Sequence, residues 1–148
     1  MKGGPTILLL ENEEHDVFIF RRALSKLEFP GVVRVVSNTT QAKAYLLGTG
    51  EFQGRDYYPL PDFIVSDLKM HGETGLDFLH WMRQQPAFSH IPFFVLSGSG
   101  LAEDQAKAMA LGAKSYFTKS GDFPVAVEQV KTLIDLAAQN APVERPSL

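Results

Sequence analysis

Short runs of apolar, β-favouring residues recur along the chain, separated by stretches whose apolar positions fall three or four residues apart. Thr6 to Leu10 (TILLL), Val32 to Val36 (VVRVV), Phe63 to Val65 (FIV), Phe93 to Ser97 (FFVLS) and Ser115 to Thr118 (SYFT) are of strand length and rich in β-branched or aromatic side chains. Val17, Phe20, Leu24 and Leu27 form one helical stripe. Leu76, Leu79 and Met82 or Arg83 begin a second, Ala106, Met109 and Ala110 a third, and Val127, Val130, Ile134 and Leu136 to Ala137 a fourth. Asp16, Thr39 and Asp122 read as caps at helix starts, and Gly48 and Gly112 stand where helices should stop. The segment GTGEFQGRDYYPLP (Gly48 to Pro61) reads as a surface loop, and the polar, Pro-broken tail AQNAPVERPSL as a fraying end.

Five strands alternating with five helices predict an α/β fold. Strands apolar on both faces predict a parallel sheet covered on both sides, so the architecture is doubly wound. In such sheets ligands bind beyond the carboxyl ends of the strands, where the strand order reverses. A length of 148 residues with 45% hydrophobic content suits one domain with a real core, expected over residues 1–138, with 139–148 as a disordered tail and no room for an output domain.

Composition narrows the function. Fourteen Lys plus Arg against 17 Asp plus Glu leave a formal charge of -3, which lacks the basic footprint of nucleic-acid binding. The absence of cysteine removes disulfides, thiolate metal sites and Cys nucleophiles together. No apolar run approaches the roughly 20 residues of a membrane span, and Met1 to Pro5 is too short and Gly-rich for a signal peptide, so the expected location is the cytoplasm.

The residues just past the strands carry the chemistry. They are Glu11 and Asn12 after the first, Asp67 after the third, Ser97 ending the fourth and Lys119 after the fifth. A polar residue at any one strand end is as often only the start of a loop. Together, two carboxylates, an amide, a hydroxyl and an ammonium on one edge of one sheet suit phosphoryl transfer to Asp67. A carboxylate can accept a loose, metaphosphate-like phosphoryl group, and the remaining work is positioning and charge neutralisation. Two clustered acids call for a hard cation, and Mg2+ prefers such oxygen ligands. Lys119 would neutralise one phosphoryl oxygen and the Ser97 hydroxyl would hydrogen-bond another.

These residues, in this order, resemble the receiver domain of two-component response regulators from Thr6 to about Ala138. The matching stretches are ILLLEN, PDFIVSDLKM with the following G.TGLDFL, IPFFVLSGSG and AMALGAKSYFTKS. The resemblance implies a CheY-like, flavodoxin-like (βα)5 fold with strand order 2-1-3-4-5. It implies Asp67 as phosphoacceptor, and Glu11, Asn12, Asp67 and the backbone carbonyl of Lys69 around Mg2+. It further implies Ser97 and Lys119 as the active-site hydroxyl and lysine, and Tyr116 as the aromatic whose rotamer reports phosphorylation. The opening LENEEHDV and the long loop before the third strand look most like the single-domain regulators associated with bacterial phytochromes. The implied partners are a sensor histidine kinase or histidine phosphotransfer protein, then a downstream protein or a homodimer, acting through the face of the fourth helix, fifth strand and fifth helix. The chain would not be an enzyme beyond transfer to its own Asp67 and slow autodephosphorylation.

Three positions depart from the pattern. Asn12 stands where the acidic pair normally ends in aspartate, which removes a formal charge. Opposite unit charges about 4 Å apart interact by roughly 4 kcal/mol at an effective dielectric near 20, so metal affinity should suffer. Glu13 and Glu14 read as solvated loop acids. His71 replaces the usual proline, and Ser120 follows Lys119 where a cis-proline is common, which should loosen the turn that aims the lysine. The first departure keeps open a degenerate receiver that works by binding alone.

Other features weigh less. The four histidines show no metal-site spacing. The segment Ser97 to Gly100 lacks the lysine of a P-loop and reads as a mobile loop. Phe18 falls off its helical stripe and has two equal readings, exposure near the active-site edge, as suits a docking kinase, or burial on a wide apolar face; Trp81 reads as packing. A haloacid-dehalogenase-type phosphohydrolase would need an acid where Lys69 stands, and a flavin binder would need a hydroxyl- and glycine-rich loop where ENEEHD stands.

Overall fold

The strand-length runs become a five-stranded parallel sheet in the order β2-β1-β3-β4-β5 in the computed structural model, which describes residues 4–70 and 72–139. The elements in chain order are β1 (Thr6–Leu10), α1 (Glu14–Lys26), β2 (Val32–Val36), α2 (Thr39–Leu47), a 3-10 turn (Gly50–Phe52), β3 (Phe63–Ser66), α3 (Gly75–Arg83), β4 (Phe93–Ser97), α4 (Ala102–Ala110), β5 (Ser115–Thr118) and α5 (Phe123–Gln139). Helix α5 thus runs through Gln139, one residue into the expected tail; His71 and the rest of the tail lie outside the described residues.

Alternation along the strands divides the core into two layers. Leu8 and Leu10 of β1 point to one side, with Tyr45 of α2, Phe78 of α3 and Ala108 of α4. Ile7 and Leu9 point to the other, with Phe20 of α1 and Val130 and Leu133 of α5. β1, β3 and most of β4 are buried on both faces, as near-continuous apolar runs require, whereas the edge strands β2 and β5 are only half-buried. Each fully buried Phe or Leu contributes about 1.5–3 kcal/mol relative to exposure.

Four local readings need correction. α1 begins at Glu14 with Glu13 as its cap residue, so Asp16 lies inside the first turn. α2 is capped by Asn38, whose side chain accepts from Gln41 N, and not by Thr39. Its other end fits: Gly48 sits at φ 69°, the left-handed conformation that closes a helix at little cost for glycine. In α4, Ala106, Met109 and Ala110 face solvent and Ala108 is the buried position. Alanine and methionine are tolerated on either side of a helix, so spacing alone placed the wrong face inward.

The fourth correction concerns the segment before β3, which is more than a surface loop. Phe52 is buried, and the Tyr45, Phe52 and Tyr58 rings pack edge-on or tilted with centroids 5.2–5.9 Å apart. Arg55 donates to the carbonyls of Tyr45 and Leu46 at the end of α2 and of Tyr58, which ties this segment to the helix. The Tyr45 hydroxyl donates to the Pro59 carbonyl at 2.8 Å.

Candidate functional site

Parallel pairing brings the carboxyl ends of β1, β3, β4 and β5 to one rim, and the loops leaving them carry the candidate side chains. The Asp67 N–H donates to the Leu10 carbonyl, which extends the β1–β3 ladder one residue past β3. Glu11 N–H donates likewise to Val36 O, and Lys119 N–H to Ser97 O at 2.7 Å. The backbone around each site residue is therefore fixed by the sheet itself.

Helix α3 closes on Asp67 from behind. It starts with a capping box in which Thr74 and Asp77 exchange side-chain-to-backbone hydrogen bonds. Gly75 N–H donates to Leu68 O, and a Cβ at Gly75 would stand 2.1 Å from the Asp67 carbonyl oxygen and 2.7 Å from Ser66 Oγ. Only glycine permits that approach.

At the centre is Lys119, whose Nζ lies 2.8 Å from Glu11 Oε1, 2.7 Å from Asp16 Oδ2 and 2.8 Å from Asp67 Oδ2. Glu11 and Asp67 are almost wholly buried, at 4% and 7% exposure. Their desolvation is offset by hydrogen bonds: Glu11 Oε2 accepts from Glu13 N–H, and Asp67 Oδ1 from Leu68 N–H at 2.6 Å. Burial pushes the Glu11 carboxyl above its ordinary pKa, with Lys119 pulling it partly back. For Lys119, burial favours the neutral amine, but hydrogen bonds to Asp16, Asp67 and Glu11 outweigh it and hold its pKa above the ordinary lysine value.

The ligand oxygens of Glu11, Asp16 and Asp67 lie within 4.8 Å of one another. Three hard oxygen donors so grouped fit a divalent cation. Asp16 is the site residue that sequence reading missed. Its position near a helix start reads as a local cap, whereas the first turn of α1 carries it to Lys119 at the strand ends. It adds a third carboxylate to the cluster, which Glu13 and Glu14, both exposed, do not join.

The remaining candidates are close by. Asn12, Lys69, Ser97 and Lys119 line one cavity of about 510 Å³ with Asp67. Ser97 is fully buried, and its Oγ accepts from Ser99 N–H at 3.2 Å. Tyr116 lies half-buried, donating its hydroxyl to Ser99 O at 2.7 Å. The turn after Lys119, expected to be loose, is held by Asp122 N–H donating to Ser120 Oγ at 3.0 Å. Phe18 is 57% exposed on α1, which decides between its two readings, and Trp81 stacks on Phe78 as a packing residue.

Comparison with known proteins agrees with this geometry. A profile of the response regulator receiver domain matches residues 7–131. Response regulator Rcp1 of Synechocystis sp. is 27% identical over 114 residues, covering 77% of this chain and 76% of Rcp1. The phosphate regulon regulator PhoB of Rhizobium meliloti is 27% identical over 75 residues, and there the match spans only 33% of PhoB. Among solved structures, the phosphorylated cyanobacterial phytochrome response regulator RcpA superposes with a TM-score of 0.83 at 27% identity, covering 94% of this chain and 97% of RcpA. Response regulator RPA3017, from red light signalling in R. palustris, gives 0.87 at 25% identity, covering 96% and 99%. Strand order, the acidic rim and a profile match over most of the sequence converge on one assignment: the chain belongs to the response regulator receiver domain family.

Proposed function

We propose that the chain accepts a phosphoryl group on the carboxylate of Asp67 from a sensor histidine kinase or histidine phosphotransfer protein, and that the acyl phosphate changes which partner it binds. A carboxylate oxygen of Asp67 forms the new bond to phosphorus as the bond from phosphorus to the donor imidazole nitrogen breaks. The imidazole nitrogen keeps the electron pair of that bond and leaves as the neutral base where the other ring nitrogen already carries a proton; otherwise it takes a proton from water. The observation that carries this reading is the Lys119 ammonium held within 2.8 Å of three carboxylates, one of them Asp67, beside a cavity at the sheet's carboxyl rim.

Each residue then has a task. Lys119 neutralises the transferred group, and the hydroxyl of Ser97 hydrogen-bonds a second phosphoryl oxygen. Glu11, Asp16 and Asp67 would hold Mg2+, with Asn12 and the carbonyl of Lys69 as further oxygen ligands; the ion supplies charge neutralisation on the phosphoryl oxygens when bound. Tyr116 reports the change, because its hydroxyl is tied to the loop that follows Ser97. The readout is a downstream protein or a second copy at the face of α4, β5 and α5, where Leu101, Met109 and Val125 are exposed. The chain is then an acceptor of transfer, with slow hydrolysis of its own acyl phosphate, in the cytoplasm where such donors are charged. Asn12 alone would favour a receiver that only binds, but the third carboxylate supplied by Asp16 removes that reason.

The test is incubation with a small phosphodonor and Mg2+. The reading expects an acid-stable, base-labile adduct of one phosphoryl group that Asp67→Asn abolishes. No adduct at millimolar Mg2+ would overturn it.

A further inference from the structure

Ser99 makes four hydrogen bonds that tie separate parts of the switch together. Its N–H donates to Ser97 Oγ at 3.2 Å, its carbonyl accepts from the Tyr116 hydroxyl at 2.7 Å, its Oγ accepts from Leu101 N–H at 3.3 Å, and its hydroxyl donates to Asp104 Oδ2. The residue is buried, at 8% exposure. Asp104 is in the first turn of α4, a helix whose cap residue, Leu101, has no side chain able to cap it. The other first-turn acid, Glu103, is engaged outward with Lys107 at 3.0 Å. One carboxylate thus anchors the loop between β4 and α4 to the helix.

From these contacts we infer that Asp104 is a positioning residue that holds the receiver in its resting arrangement. It acts through Ser99 on the Ser97 hydroxyl and on Tyr116, and the inference rests on Asp67 being the phosphoacceptor. Movement of Ser97 toward a phosphoryl group on Asp67 pulls on the Ser99 N–H. Displacement of Ser99 withdraws the carbonyl that holds Tyr116 and strains the bond to Asp104. The Asp104 carboxylate opposes that displacement, so part of the binding energy of the phosphoryl group is spent on breaking the anchor. In this chain α4 is coupled to the acceptor site by one side chain of its own.

The probe is beryllofluoride with Mg2+, a phosphoryl mimic, titrated into the full chain while Asp67 amide resonances are followed. Asp104→Ala should tighten beryllofluoride binding about fivefold, the lower end of typical coupling between sites. Asp104→Asn loses the same charge at the helix start but keeps an oxygen for the Ser99 hydroxyl, and should stay within about twofold of wild type. Ser99→Ala should match Asp104→Ala, with no further gain in the double variant. Unchanged or weaker binding in Asp104→Ala overturns the inference, as does an Asn variant that behaves like the Ala variant or an additive double variant. Wild-type protein that fails to bind beryllofluoride at Asp67 overturns the phosphoacceptor reading as well, which separates the two failures.

Discussion

Lys119 and Asp16, 103 residues apart in the chain, meet at 2.7 Å through Nζ and Oδ2. The contact completes a set of three carboxylates around one ammonium and ties α1 to the turn after β5. Formally three negative charges then face one positive charge, an excess that a bound cation would offset.

Lys119 should therefore stabilise the fold with a definite pH signature. Its pKa in the fold stands above the ordinary value of about 10.5, so its contribution is full below that pH and is lost as pH rises through the higher folded value. Lys119→Met is expected to cost about 2 kcal/mol near neutral pH. That is less than the roughly 3–5 kcal/mol of a broken, fully buried pair, because the side chain keeps 19% exposure. Urea denaturation should show the gap between variant and wild type closing above pH 10.5.

The acidic set should tune metal affinity through Asp16 and Asn12. Asp16→Asn is expected to weaken Mg2+ binding by roughly tenfold, and Asn12→Asp to strengthen it, since each changes one formal charge beside the ion. Calorimetric titration with Mg2+ alone checks both. Equal affinities in all three proteins would remove Asp16 from the metal set.

Gly75→Ala should be among the costliest single-methyl changes in the chain. The added Cβ would meet the Asp67 carbonyl oxygen at 2.1 Å, so α3 or the acceptor loop must shift. The expected loss is about 2–3 kcal/mol by denaturation, as for overpacking elsewhere. Phosphoryl uptake should fall with it, because the shift acts on the acceptor's own backbone.

Arg55→Ala should separate stability from chemistry. It removes the donors that cap the Tyr45 and Leu46 carbonyls and should cost about 1 kcal/mol. Phosphoryl uptake by the folded variant should equal that of the wild type, measured as adduct formed per mole.

How much of this could be read from the residues depended on how local the signal was. The strands are buried on both faces at the centre of the sheet, and their apolar runs matched the observed limits, with β3 extended only to Ser66. Glu11, Asp67, Ser97 and Lys119 were found because strand ends in a parallel sheet must share a rim. Asp16 was not, since its partner lies 103 residues away and an acid near a helix start has an adequate local explanation. The face of α4 was misread because Ala106, Met109 and Ala110 carry too little apolar contrast to orient a helix. Phe52 and Tyr58 were assigned to a surface loop because glycines and prolines mark turns whether or not the rings between them pack.

The central claim is that the phosphoryl group resides on the carboxylate of residue 67. After incubation with acetyl phosphate and Mg2+, borohydride reduces an acyl phosphate of aspartate to homoserine, which peptide mass mapping locates. The account predicts homoserine at position 67 alone and none when Mg2+ is withheld. Homoserine at another aspartate, or an unmodified Asp67 in protein that carries phosphate, would contradict it.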